Sequence, residues 1–272
     1  MSKKKVLIVT QEMNPYTALS EMSDITLKLA QNIHDNGMEI RILMPRFGTI
    51  NERRHRLHEV VRLSGMNIIV DDDDFPLIIK VASLQETRMQ VYFLDNEDFF
   101  SRKSVFSDDM GEPFEDNADR MVFFCKGVIE TVKKFGWSPD IVHCHGWMTS
   151  LIPLYLKTAY KADPLFQNSK VVYSIYADAI EKMVTDNFLA KATINNLTAS
   201  DLDSYQNGSG VMLHHGAIAY ADGLIKGSDR LSDTVLQALN KMDKPVLDYQ
   251  EEDLAGASIE FYQSLLTQEV SE

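Results

Sequence analysis

Two histidine pairs and two thiols are the first residues in this sequence that could do chemistry. His143 and His145 stand two apart in the run Ile141-Val142-His143-Cys144-His145. On an extended chain that spacing puts both imidazoles on one face, where they could ligate a metal or pass a proton. A two-histidine metal centre needs a third ligand and an open position, and no residue of the right type follows at a suitable spacing. The expectation is a pair of buried, hydrogen-bonded histidines. His214-His215 falls in a helical pattern, where adjacent side chains diverge and cannot chelate together; a solvated or capping role is expected. Cys125 sits on the apolar face of a helical pattern and Cys144 in a strand pattern. On those apolar faces both read as inert core thiols. Asp71-Asp72-Asp73-Asp74 could in principle hold a hard cation. Adjacent carboxylates in one turn do not converge on one ion, and the spacing and glycine of an EF-hand are missing. These four read as a solvated hairpin turn. Met13, Met22, Met148 and the aromatic residues read as packing rather than ligand contacts.

The elements that must position these groups alternate in type. Val6 to Thr10 is a short continuous apolar run, the mark of a strand buried on both faces. Met22, Ile25, Leu29 and Ile33 recur at helical spacing, with Ser20 as the expected N-cap and Gly37 at the stop. Glu39 to Pro45 completes a β-α-β unit, which implies a parallel sheet with right-handed crossovers. Val60 to Val70, Leu77 to Leu84 and Gln90 to Leu94 are β-rich and suggest a hairpin insertion at the sheet's edge. A helix opens at Asp116-Asn117, with Met121, Phe124, Val128, Val132 and Phe135 along one face, and ends at Gly136. The strand Ile141 to Cys144, a helix from Trp147 to Tyr160 and the strand Val171 to Ile175 follow. Asn195 to Gly210 reads as loop, Val211 to Tyr220 as helix, Gly223 to Ile225 as strand, and Leu231 to Asn240 and Leu254 to Leu266 as helices. The predicted class is α/β: a Rossmann-like, doubly wound, mostly parallel sheet with a β-hairpin insertion. Ligands in such sheets sit at the carboxyl ends of the strands, so the turns after Thr10, Cys144 and Ile175 are the informative ones.

Composition narrows the partners. With 27 Lys+Arg against 40 Asp+Glu, the 272-residue chain carries a formal charge of −13. Such a charge repels phosphate backbones and anionic lipid, so neither nucleic acid nor a membrane surface is an expected partner. Two cysteines suit a reducing compartment. The apolar run after Lys3-Lys4-Lys5 is too short for a signal peptide, and no run reaches membrane-spanning length. The expected location is the cytoplasm, where the glycosylation sequons at Asn196 and Asn207 have no consequence.

Several segments, in order, resemble the N-terminal domain of bacterial glycogen synthases and plant starch synthases. They are Val6 through Glu12, Val91 through Asn96, Asp116 through Cys125, Trp137 through His145, Tyr160 through Pro164 and Gly216 through Asp222. The resemblance covers residues 4 to 230. It implies one half of a GT-B glycosyltransferase: a single domain with its core over about 4–230, C-terminal helices over about 231–268, and the second, nucleotide-binding domain absent from this chain. The family moves glucose from ADP-glucose to an α-1,4-glucan.

The same resemblance marks departures. Where the family has Lys-Thr-Gly-Gly-Leu after the first strand, this chain has Ala18-Leu19-Ser20-Glu21-Met22; Asp24 keeps the family's acidic residue. Where the family continues Asp-Trp-His after His145, this chain has Gly146-Trp147-Met148. The family's last histidine there approaches the transferred sugar. Tyr176-Ala177 replaces a His-Asn pair. The catalytic positions are thus expected to be occupied by Met148, Tyr176 and Ala177, and Ala18, Leu19, Ser20, Glu21, Asp24, His145 and Trp147 to line a vestigial cleft. No cofactor and no metal are expected. The implied partners are a glucan or another small molecule, or a second copy or partner protein covering the open half-cleft.

Overall fold

The computed structural model describes residues 3–84, 87–177, 188–194, 197–207 and 210–267. In chain order the elements are β1 Lys5–Thr10, α1 Met22–Asp35, β2 Glu39–Pro45, α2 Glu52–His55, β3 His58–Glu59, β4 Met66–Val70, β5 Asp73–Ser83 and β6 Gln90–Asp95. There follow α3 Glu97–Phe100, α4 Asn117–Phe135, β7 Ile141–His145, a 3-10 turn Trp147–Thr149, α5 Leu151–Lys157 and β8 Lys170–Ile175. The last part holds α6 Phe188–Ala192, a 3-10 helix Ala199–Tyr205, the two-residue strands β9 Gln206–Asn207 and β10 Gly210–Val211, α7 Leu213–Tyr220, β11 Gly223–Lys226, α8 Asp233–Lys241, β12 Val246–Leu247 and α9 Leu254–Thr267.

The main sheet runs β12-β11-β8-β7-β1-β2-β6-β5-β3, with β4 paired to β5. From β12 to β6 every pair is parallel; β5, β4 and β3 add antiparallel. This is the expected doubly wound sheet with a hairpin insertion. The insertion turns at Asp71-Asp72, with Val70 opposite Asp73 and Asp71 at φ +58. The four aspartates are exposed there, as the sequence implied. The chain steps from β1 outward to β2 and β6, then returns through α4 to place β7 on the other side of β1. That reversal puts the switch point between β1 and β7, and the crevice at their carboxyl ends. β1, β7 and β8 are buried almost throughout, which explains their unbroken apolar runs. α1 packs with α9, while α5 packs with both α4 and α7.

Several boundaries differ from expectation. α1 starts at Met22 with Glu21 as an N-cap lacking a side-chain bond, although the Ser20 hydroxyl does accept from the Met22 N–H at 3.2 Å. The helix expected over 147–160 is broken into a 3-10 turn and α5, because Gly146 enters it at φ +80, ψ 167. Only residues 66–70 of the stretch 60–70 form a strand. The 199–205 part of the expected loop is a 3-10 helix closed by a Thr198–Asp201 capping box, a signature present in the sequence. β12 adds a strand inside the stretch read as purely helical; two residues are too few to show a period. Asn196 and Gly208-Ser209, from the sequons, lie outside the described residues. Among the described residues no helix is long and apolar enough to cross a membrane.

Candidate functional site

The loop from β1 to α1 forms one wall of the crevice and is latched by a buried carboxylate. Glu12 Oε2 accepts from the Leu19 and Ser20 N–H groups at 2.5 and 2.9 Å, and Oε1 accepts from the Ser20 hydroxyl at 2.6 Å. Ala18, Leu19, Ser20, Glu21 and Asp24 are all exposed along this wall. Asp24 accepts from the Asn14 amide at 2.5 Å, besides sitting in the first turn where a carboxylate favours the helix dipole.

The opposite wall comes from the turns after β8 and β11. Ala177 N donates to Ser228 Oγ at 3.2 Å, and Ser228 Oγ donates to Glu21 Oε1 at 2.6 Å. A carboxylate from the first wall is thereby tied across the mouth to the second. Tyr249 stands near the same rim: burial first, then the charges of Glu21, Glu251 and Asp229, raise its hydroxyl pKa. A diphosphate entering here meets Glu21, and at a few ångströms that repulsion costs on the order of 1–4 kcal/mol.

The floor is filled. Gly146 holds a backbone shape open to glycine alone, and the space a Cβ would take is occupied by Gln11 Oε1 at 2.5 Å, Gln11 Cδ at 2.6 Å and Met22 Cε at 2.8 Å. Gln11 Oε1 also accepts from the Met148 N–H at 3.1 Å. Met148 is 0% exposed, and its carbonyl receives the Cys125 thiol at 3.2 Å. Trp147 is buried against Phe106, ring centroids 4.8 Å apart. Both thiols are buried, and burial raises both pKa values, so they are inert as expected.

His145 is 1% exposed and Tyr176 3%. His145 Nδ1 bonds the Tyr176 hydroxyl at 2.8 Å, while its Nε2 is buried without a hydrogen-bond partner among the described residues. Burial pushes its pKa down to about 3. His143 stacks on it at 3.8 Å and bonds Tyr262 of α9 at 2.6 Å and Ser174 at 2.7 Å; burial, then the neighbouring His145, lower its pKa well below the ordinary histidine value. Both rings share one face, as the i, i+2 spacing implied. His214 departs from expectation: it is buried and bonds the Tyr173 hydroxyl at 2.8 Å, and burial lowers its pKa to about 3. Its helix, α7, packs against α5, α8 and the 3-10 helix Ala199–Tyr205, which leaves His214 no solvent-facing side. No cluster of three His, Cys, Asp or Glu positioned for a metal occurs among the described residues.

The structure sorts the sequence-derived positions into two kinds. Residues 18–21, 24 and 177 are exposed rim; 145, 147, 148 and 176 are buried floor. Gln11 and Ser228, which cross-link the floor and the mouth, escaped sequence reasoning. Their types are unremarkable, and only their partners across the chain give them a role.

Residues 5–244 match the family described as starch synthase catalytic domain. The glycogen synthase of Pelodictyon phaeoclathratiforme is 42% identical over 173 residues, covering 63% of this chain and 35% of that protein. Those of Chlorobium limicola and Chlorobaculum tepidum are 34% and 36% identical over 85% of this chain and 47% of theirs. The chain thus spans about half the length, or less, of these relatives. In fold it is similar to the catalytic domain of starch synthase IV from Arabidopsis thaliana, bound to ADP and acarbose. The TM-score is 0.75 at 17% identity, over 91% of this chain and 51% of that one.

Proposed function

This chain belongs to the starch synthase catalytic domain family of glycosyltransferases, and from that premise we propose that it does not by itself transfer glucose. Its crevice face serves instead as a binding surface for an uncharged partner, a glucan chain or a protein. The observation that carries this reading is Met148. It stands where the resemblance calls for a histidine that approaches the sugar, and it is fully buried, with its N–H committed to Gln11. A thioether offers no hydrogen bond of useful strength to a hydroxyl, and a side chain without surface cannot touch a substrate. The Glu21–Ser228 tie supports the reading a second way, since it sets a carboxylate in the mouth where a nucleotide diphosphate would come.

ADP and acarbose, carried by the similar starch synthase IV structure, are the natural probes. With the protein in excess over radiolabelled ADP-glucose and glycogen as primer, no label should enter the polymer. Calorimetry should find ADP binding weaker than about 1 mM, and maltooligosaccharides or acarbose should bind without nucleotide. Incorporation of label, or tight ADP binding by this chain alone, overturns the proposal. If the partner is a second copy covering the crevice, light scattering gives a dimer at micromolar concentration, as expected of a large surface that does not stay uncovered.

A further inference from the structure

The most exposed large apolar side chain among the described residues is Met110, at 85%. It stands at the tip of the loop joining α3 to α4, on the side of the sheet where β6 ends. The tip is fixed by hydrogen bonds. Asp108 Oδ1 accepts from the Met110 and Glu112 N–H groups at 2.9 Å each. The Asp108 N–H donates to the Glu112 carbonyl at 2.9 Å, and the Gly111 N–H to the Asp108 carbonyl at 3.0 Å. Gly111 takes φ +84, which only glycine adopts without strain, and Ser107 bridges Pro113 beneath the turn. An apolar side chain is thus held out in water, where its burial energy goes unused. Asp108, Asp109, Glu112 and Glu115 are exposed around it, and no Lys or Arg occurs from residue 104 to residue 119.

The other end of the sheet carries a surface of opposite character. A groove of about 520 Å³ opens at the amino ends of β2 and β6, lined by the apolar Met38, Ile40 and Met89 and the cationic Lys3, Arg41 and Arg88. Glu39, which also lines it, is engaged: its Oε1 accepts from Trp137 Nε1 at 2.6 Å. The Arg41 guanidinium lies over Phe135 and Trp137, 4.2 and 4.8 Å from the ring centroids. Arg41, Arg88 and Lys3 make no side-chain hydrogen bond or ion pair among the described residues. On a chain of charge −13, a cationic groove with an apolar lining complements an acidic surface with an apolar tip.

We propose that the Met110 tip of one copy docks in this groove on a second copy. The unbranched methionine side chain adapts to an irregular apolar lining, and the carboxylates beside it meet Lys3, Arg41 and Arg88. Tip and groove lie at opposite ends of one sheet, so a tip does not reach the groove of its own chain. The contact is therefore heterologous: every pair keeps one free tip and one free groove, and copies add head to tail. It is a small contact and a weak one. It uses neither Glu21 nor Ser228 and stands whether or not the crevice binds a glucan.

Sedimentation of the full chain from about 10 μM to about 1 mM tests it. The average mass should rise with concentration and pass the dimer, and about 1 M salt, which screens charges beyond about 3 Å, should weaken the association. Met110→Asp removes the tip. Lys3→Glu with Arg88→Glu removes the groove; Met110, Lys3 and Arg88 are all exposed, so the melting temperatures should stay in place. Each variant alone should associate about tenfold or more weakly. An equimolar mixture should form a dimer and nothing larger, because only one tip and one groove remain competent. A monomer at about 1 mM, a parent that stops at the dimer, or a mixture that stays monomeric overturns the proposal. So does association undiminished in both variants, which would belong to the crevice face instead.

Discussion

Gly146→Ala tests whether the floor of the crevice has been rebuilt around a missing side chain. At φ +80 and ψ 167 the backbone lies in a region that costs a residue with a Cβ about 1–3 kcal/mol. The added methyl also lands 2.5–2.8 Å from Gln11 Oε1, Gln11 Cδ and Met22 Cε, an overpacking worth about 1–3 kcal/mol. The substitution stiffens the unfolded chain and returns about 0.4–1 kcal/mol. The net expectation is a loss of about 1–5 kcal/mol. Urea denaturation reads it as a lower midpoint with an unchanged slope. A companion variant, Gln11→Ala, separates the two causes. In the Gly146→Ala background it removes part of the crowding, so the double variant loses less than the sum of the singles, while the backbone cost persists. A midpoint for Gly146→Ala within about 0.5 kcal/mol of the parent, or strict additivity with Gln11→Ala, would refute the reasoning. The same arithmetic applies with greater force to Gly146→Asp, which restores the residue the resemblance calls for.

Met148→His should not restore transfer of glucose in the labelled-donor assay; it places an imidazole at a fully buried position and should cost about 1–3 kcal/mol in the same denaturation measurement. Ser228→Ala frees both the Ala177 N–H and Glu21 and should lower stability by about 1 kcal/mol, with faster amide exchange at Ala177 seen by NMR. Stability should also fall with acid. Above pH 6.5 His145 and His214 are neutral in both states; between 6.5 and about 3 the unfolded chain takes up protons that the folded one refuses. The loss is up to about 1.4 kcal/mol per pH unit for each histidine, and His143, shifted the same way, adds to it. Urea midpoints at pH 7 and pH 5 measure it, and equal values would contradict the buried, neutral assignment.

Much of the architecture was legible beforehand because it rests on local patterns. The unbroken apolar runs at β1, β7 and β8 announced strands covered on both faces, and the three-four spacing of Met121 to Phe135 announced α4, closed by Gly136 at φ +59. What misled was short or long-range. β12 has two residues and exists because β11 offers it an edge, with Leu224 opposite Val246. His214 looked solvent-facing until Tyr173 closed over it.

The crevice divides the same way. Local order in the chain was enough to place residues 18–22, 145–148 and 176–177 at strand ends beside a switch point, and the resemblance implied that other residues stand there in place of a lysine and two histidines. Neither could say what fills the space they left. Gln11 meets Met148 across 137 positions, and Glu21 meets Ser228 across 207. Side-chain periodicity reports which face a residue takes, whereas filling a cavity or bridging a mouth depends on which distant atoms arrive within about 3 Å, and only the folded sheet brings them there.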